Sequence, residues 1–410
     1  MNVLVTGAQF HNKGAQSLLF TVMSHLRNQY DDVEIYYLPI DDCFSYKPDI
    51  YKFNIVFDDK RYRDYLAQNE NTFGNLISYL KLYLKWMLLH KKLKIFRLTK
   101  ILNNIDVVID VSGFSLSSKI NSKGPFGFLR RIEMATKKNI PVILMPQSFG
   151  PFDYVNNKES ICDNICRTLN SVDKIFAREA EGAEMLTQIG VSKNVEISTD
   201  LVLQSDEIEL SNIFVKSRKL EFKKLTTQNN VGIVPNMQLY KHGKKDDLLQ
   251  VYRNIINHLL ACDKNVYIFR HSNDLPICKD IYEMFASSEN VYFIEDDMNC
   301  LEYGEFVKQF DFIVASRFHA IVHAYKENVP AIILGWAVKY HDLAQNLNQE
   351  KFVFDGTNIS AENQDAIIKG IEYMSNNFNE ESTIISQKML YIQSQNCYEK
   401  CKDIFESIIR

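Results

Sequence analysis

What this chain does not contain narrows it first. None of its eight cysteines forms a CxxC pair or a zinc-ribbon spacing, which argues against a metal or redox role and suits a reducing compartment. Cys162 with Cys166, and Cys397 with Cys401, stand four apart and would each share a helical face as buried, unreactive thiols. No charged leader, apolar core and small-residue cleavage site comes first; NVLVT at positions 2–6 already reads as a buried strand, so secretion is not expected. Nor is there an uninterrupted apolar span, because the segment from Tyr79 to Leu98 is broken by Lys81, Lys85, Lys91, Lys92 and Lys94. Positive charge is not in excess either: a formal net charge of −4 and a sequence pI near 6.2 argue against a general nucleic-acid binder. The expectation is a cytoplasmic protein with no nucleic-acid partner.

What is present is an ordinary globular composition, 46% hydrophobic and 24% charged, over 410 residues. That length exceeds what one hydrophobic core serves and predicts two domains. Short apolar runs alternate with helical patterns: NVLVT, VEIYYL, FNIVF, DVVIDV, PVILMP, KIFA and VEIST, then NVGIVP, NVYIFR, NVYFIE, DFIVAS, VPAIIL and KFVF. Continuous apolar strands separated by helices indicate parallel sheets covered on both faces. The fold class expected is α/β, with two doubly wound Rossmann-like domains facing a cleft, the GT-B arrangement. Residues 1–205 form the first domain, 206–229 a charged linker, and 230–375 the second domain. Residues 376–410 form a helical region free to pack back on the first domain.

Chemistry concentrates at strand ends. Ser316-Arg317-Phe318-His319 follows the apolar run FIVA and opens an amphipathic segment. There unpaired N–H groups and the macrodipole favour an anion, Arg317 offers a bidentate fork, and His319 titrates near neutrality. His319 can move protons or merely cap and pack on its own helix; both readings stay open. Arg178 repeats the grammar after KIFA, either as a second anion receptor or as a partner of Glu179, Glu181 or Glu184. Asn12, Lys13 and Gly14 occupy the turn after the first strand, in GAQFHNKGAQ, which is neither GxGxxG nor a Walker loop. Asp110, Ser112 and Gln147 leave two further strands and suit sugar hydroxyls or simply turns. His319 and His323 are four apart, but no glutamate of the HExxH kind lies between them and no third ligand is evident, so no metal is expected. The stretch 79–100 reads either as a basic amphipathic helix for peripheral membrane contact or as a core helix with solvated lysines.

Taken in order, NKGAQ, DVSGFSLS, PQSFGPF, FAREAEGAEMLTQIGV, STDLVL, SRFHAIVHAYKENVPAIIL and VKYHDLAQ resemble the polysaccharide pyruvyl transferase family over nearly the whole chain. The resemblance implies a GT-B-like enzyme that moves the pyruvyl group of phosphoenolpyruvate onto two sugar hydroxyls as a ketal, with no resident cofactor. It implies that Arg178 and Arg317 bind the donor, with Ser316, Phe318 and Lys339 beside them, and that His319 serves as general acid/base. Asn12, Lys13, Gly14, Asp110, Ser112 and Gln147 would then face the acceptor, a surface-polysaccharide sugar on a polyprenyl diphosphate. The chain departs from the family's usual glycine-rich blocks at 110–113 and 146–148, on that acceptor side. Two alternatives remain: a GT-B glycosyltransferase using a nucleotide sugar, with Glu302 or Glu305 as its carboxylate, and a non-catalytic glycan- or lipid-carrier-binding scaffold.

Overall fold

Among the described residues every pair of named strands is parallel, as expected where helices cover both faces of a sheet. The computed structural model describes residues 1–41, 43, 46, 49–59, 72–89, 94–120, 124–242, 244–358 and 360–409. The first sheet comprises β1 (Asn2–Thr6), β2 (Glu34–Leu38), β3 (Asn54–Phe57), β4 (Phe96–Arg97), β5 (Val107–Asp110), β6 (Phe114–Leu116), β7 (Val142–Phe149), β8 (Lys174–Ala177) and β9 (Val195–Ile197). Its order is β4-β3-β2-β1-β5-β7-β8-β9, with β6 paired to β7. The second sheet comprises β10 (Asn230–Val234), β11 (Asn265–Phe269), β12 (Val291–Ile294), β13 (Phe312–Ala315), β14 (Ala331–Gly335) and β15 (Val353–Asp355), in the order β12-β11-β10-β13-β14-β15.

In each sheet the winding reverses at one strand. β1 lies between β2 and β5, and β10 between β11 and β13. Crevices at such switch points, beyond the strand C-termini, are where ligands bind in open α/β sheets. The strands that form them are apolar throughout: Val314 and Ala315 of β13, like Val108 and Ile109 of β5, are essentially inaccessible to water. Burying one such valine or isoleucine contributes about 1.5–3 kcal/mol, which makes the strand ends rigid supports for whatever follows them.

The helices used below are α1 (Lys13–Gln29), α2 (Thr72–Leu89), α3 (Ala180–Gln188), α4 (Cys300–Val307), α5 (Phe318–Lys326), α6 (Lys339–Gln345) and α7 (Ala361–Ser394). Two differences from the sequence reading matter. The helix read over 79–100 stops at Leu89; residues 90–93 lie outside the described residues, and Phe96–Arg97 pairs with Val56–Phe57 as the edge strand β4. A run of lysines and apolar residues carries no period long enough to show that break. Residue 375 falls inside α7, a single helix that begins against the second domain's β14 and β15 and continues to the first domain.

Beyond α7 the chain returns to the first domain. Cys397 N donates to Gln204 Oε1 at 2.8 Å, and Tyr398 stacks on His25 of α1 with ring centroids 3.5 Å apart. Near the crossover, Lys326 at the end of α5 donates to the Ser205 carbonyl, to Ser205 Oγ at 3.2 Å and to the Asp206 carbonyl at 3.4 Å. Among the described residues no helix is long and apolar enough to cross a membrane.

Candidate functional site

The side chains that leave β8 and β13, on different sheets, meet. Arg178 follows β8 and is buried, donating from Nε to Glu179 at 3.0 Å, from Nη1 to Asp200 at 2.9 Å and from Nη2 to Ser148 Oγ at 2.6 Å. Its guanidinium plane lies over the Phe318 ring, 4.3 Å from the centroid, at the start of α5 in the second domain. His319, one residue on, brings Nε2 to 3.7 Å from Asp200 Oδ2. Asp200 therefore faces both the arginine of one domain and the histidine of the other.

Arg317 is the N-cap of α5 but makes no side-chain cap hydrogen bond. Its guanidinium turns to Asp274, with Nε–Oδ2 and Nη2–Oδ1 both at 2.7 Å. This bidentate pair is a charge-assisted fork, and it fixes the guanidinium while leaving the Nη1 edge for a ligand. Asp274 is fully buried and also accepts from Met237 N at 3.0 Å. Ser316 lies beneath: its Oγ is 3.1 Å from Tyr252 Oη, and its carbonyl accepts from Asn236 and Tyr340. Ser316 is thus part of the support for the loop, not a group presented to the cleft.

Lys339 opens α6. Its ammonium lies 5.3 Å from the centroids of Phe114, Phe318 and Trp336 and 5.7 Å from that of Tyr340, with Phe114 supplied by the first domain. Burial, and then the Arg178 and Arg317 guanidinium groups, bring its pKa down to about 8. Burial also holds His319 well below its ordinary value, assisted by Arg178, Lys339 and Arg317. At neutral pH the imidazole is therefore uncharged and able to accept a proton. Among the described residues its Nε2 has no hydrogen-bond partner.

The residues expected on the acceptor side have partners that the spacing did not reveal. Asn12 Oδ1 caps α1 by accepting from Gly14 N at 3.0 Å. Lys13 is buried, and its Nζ pairs with Asp297 of the second domain at 2.9 Å. Gly14 lies against the imidazole of His319: a Cβ on it would stand 2.2 Å from the ring's Cγ. Lys13 and Gly14 thus help join the domains, while Asn12 serves its own helix. Asp110 and Gln147 are fully buried at the ends of their strands. Asp110 accepts from Ser112 N at 3.0 Å, with Arg131 Nη2 3.8 Å from its other oxygen. Ser112 packs on Gly7, whose left-handed φ of +96° only a glycine takes without strain.

Of the carboxylates that hold the arginines, the sequence offered Glu179 as a partner of Arg178; sequence reasoning missed the other two, Asp200 and Asp274, and one further histidine. Asp200, in STDLVL, caps the short helix after it; Asp274 follows β11 by a few residues. His271 also follows β11, with the same strand-end grammar that identified His319. Its ring lies 5.5 Å from that of His323 and 4.9 Å from that of Tyr303, and burial sets its pKa well below normal. Glu302, weighed as a nucleotide-binding carboxylate, instead closes a capping box at the start of α4. Among the described residues no group of three or more His, Cys, Asp or Glu is placed to hold a metal.

Residues 12–337 match the family profile of polysaccharide pyruvyl transferase. The chain belongs to this family. Among solved structures it is similar to the UDP-GlcNAc 2-epimerase of Methanocaldococcus jannaschii, with a TM-score of 0.53 and 15% identity, covering 92% of this chain and 93% of that one. It is also similar to trehalose-6-phosphate synthase OtsA, with a TM-score of 0.54 and 11% identity over 99% of this chain and 98% of that one. The lipopolysaccharide outer core galactosyltransferase WaaB has a TM-score of 0.50 and 11% identity, each chain covered to 99%. At these identities the likeness establishes the fold, which is GT-B. No curated protein sequence matches the chain. Family membership makes it a transferase of polysaccharide biosynthesis.

Proposed function

We propose that this pyruvyl transferase family member moves the pyruvyl group of phosphoenolpyruvate onto two hydroxyls of a sugar, forming a cyclic ketal and releasing phosphate. The acceptor would be a surface-polysaccharide precursor on a polyprenyl diphosphate. The observation that carries this reading is the convergence of Arg178, His319, Arg317 and Lys339, from both domains, on one place in the cleft. A donor with a carboxylate and a phosphate of roughly −1.5 to −2 charges needs such a cluster. No resident cofactor is proposed.

In the reaction a proton from solvent adds to the methylene carbon, which becomes the methyl group and leaves C2 an oxocarbenium-like centre. The first hydroxyl attacks C2 while neutral His319 takes its proton and passes it on to the departing phosphate. The second hydroxyl then attacks C2, loses its proton, and displaces phosphate to close the ketal. Arg317 and Lys339 hold the departing negative charge, while Arg178, fixed by Glu179 and Asp200, stacks on Phe318 and so holds the start of α5. His319→Ala is expected to lower turnover by about 10²–10⁴-fold.

The test is a calorimetric titration of phosphoenolpyruvate into wild type, Arg317→Ala and His319→Ala, with phosphate release assayed in parallel. Binding lost in Arg317→Ala and retained in His319→Ala, with turnover lost in both, supports the assignment. Tight uridine-nucleotide binding that phosphoenolpyruvate does not displace would assign the chain to nucleotide-sugar chemistry instead. Acceptor binding with no phosphate release under any donor condition would make it a scaffold.

A further inference from the structure

The outward face of α2 groups several exposed apolar side chains in one place. Leu80, Leu84 and Leu88 fall at four-residue intervals on one stripe and are 47%, 50% and 78% exposed, with Met87 beside them at 45%. Lys81 and Lys85 are exposed on the same helix. The edge strand β4 continues the surface, since Arg97 lies over the Trp86 ring of α2 at 5.4 Å and Phe96 is itself exposed. Lys94 and Lys100 are exposed on either side of that strand.

Along this segment the sequence carries charge of one sign, and of its cations Arg97 is already paired with the buried Asp59. From Thr72 to Ile105 the sequence holds Lys81, Lys85, Lys91, Lys92, Lys94, Arg97 and Lys100 and neither aspartate nor glutamate, in a chain whose net charge is −4. A row of exposed aliphatic side chains bordered by cations is the composition of an element that lies in a membrane interface, with its apolar side in the acyl boundary and its lysines at the phosphates. A second copy docked through the same face would set cations against cations, because a two-fold contact places each patch on itself.

We propose that α2 and β4 form a docking face for an anionic lipid bilayer, with Leu80, Leu84, Leu88 and Phe96 entering the interface and Lys81, Lys94 and Lys100 pairing with lipid phosphates. The face lies on the first domain and carries none of the cleft residues, so membrane attachment does not depend on the chemistry proposed for the cleft. If that chemistry holds, docking brings the cleft to the plane in which a lipid-carried acceptor would lie.

The test is co-sedimentation of the full chain with vesicles of phosphatidylcholine, with and without phosphatidylglycerol. Wild type is expected to partition onto the phosphatidylglycerol vesicles and to be released by salt. Lys81→Glu/Lys100→Glu is expected to weaken that partition on the order of tenfold or more, at about 1 kcal/mol per surface lysine. Leu84→Glu/Leu88→Glu is expected to abolish it, with circular dichroism and Tm unchanged because both leucines are exposed. Failure of wild type to bind either vesicle, or equal binding by wild type and both variants, overturns the proposal. So does a wild-type dimer in sedimentation velocity that the leucine variant dissolves, which would assign the face to a second copy. Phosphoenolpyruvate titration of the same variants should be unchanged, so loss of docking and loss of donor binding are read separately.

Discussion

Gly14 and His319 are in contact across the two domains: a Cβ at position 14 would come within 2.2 Å of the imidazole Cγ and 2.4 Å of Nδ1. Real side chains do not approach this closely, so either the ring or the start of α1 must yield. The glycine thus sets where the imidazole lies.

Gly14→Ala is therefore expected to displace the His319 ring. Under the proposed chemistry this lowers kcat by up to the roughly 10²–10⁴-fold of an acid/base residue, while phosphoenolpyruvate still binds through Arg317. Parallel measurement of phosphate release and of donor affinity checks it; an unchanged kcat would show that the ring position does not matter.

Asp200→Ala should be the costlier change to the fold. It removes a carboxylate from a fully buried guanidinium whose Nη1 it holds at 2.9 Å. Breaking a buried pair by deleting one partner costs about 3–5 kcal/mol where the remaining charge is left alone; here Glu179 still faces the guanidinium at 3.0 Å, so the cost should fall below that range. The denaturation midpoint in urea should fall accordingly with the m-value unchanged, and Asp274→Ala should cost less, since Arg317 is partly open to solvent.

Lys339 gives the pH dependence of anion binding. With its pKa brought down to about 8, the ammonium is charged at pH 7 and becomes neutral as pH rises through about 8. Affinity for phosphoenolpyruvate should decline over that interval, and Lys339→Met should bind more weakly at pH 7 and lose the dependence. Titrations at pH 7 and pH 9 decide it.

Acid stability follows from the buried imidazoles. His323 is brought down to about 3 and His25 to about 4, mainly by burial, and His271 lies well below 6.5 for the same reason. Below about pH 6.5 the unfolded chain protonates these rings and the folded one does not. Each ring therefore removes about 1.4 kcal/mol of stability per pH unit as pH falls toward its folded value. His323→Phe should flatten the stability curve between pH 6.5 and pH 3 by about that slope, as urea melts at successive pH values would show.

The fold was legible because its signals are local. The apolar runs that became β1, β5, β10 and β13 carry their own periodicity, and the positions after them, from Gly7 to Gly14, at Asp110 and at Ser316, mark the strand ends. Where the local signal was ambiguous the reading slipped. The basic apolar stretch after Leu89 gave no sign that Phe96–Arg97 would pair with β3, and one continuous helix from Ala361 to Ser394 hid any boundary near residue 375.

At the site, the sequence pointed to Arg178, Arg317, His319 and Lys339 from residue type and place, but of what holds them only to Glu179, the neighbour of Arg178. Arg317 was legible as a strand-end guanidinium; its partner Asp274 lies 43 residues away on a different loop. Lys13, read as facing a ligand, turns to Asp297 in the other domain.

The sequence by itself determined two parallel sheets and the cationic and imidazole groups placed at the strand ends, because hydrophobic period and turn chemistry act over a few residues. Only the tertiary structure decided which carboxylate holds which arginine, which rings surround Lys339, and that His319 rests on Gly14. Those contacts join segments far apart in the chain, and burial, which sets both their strength and their pKa values, exists only once the two domains have closed on each other.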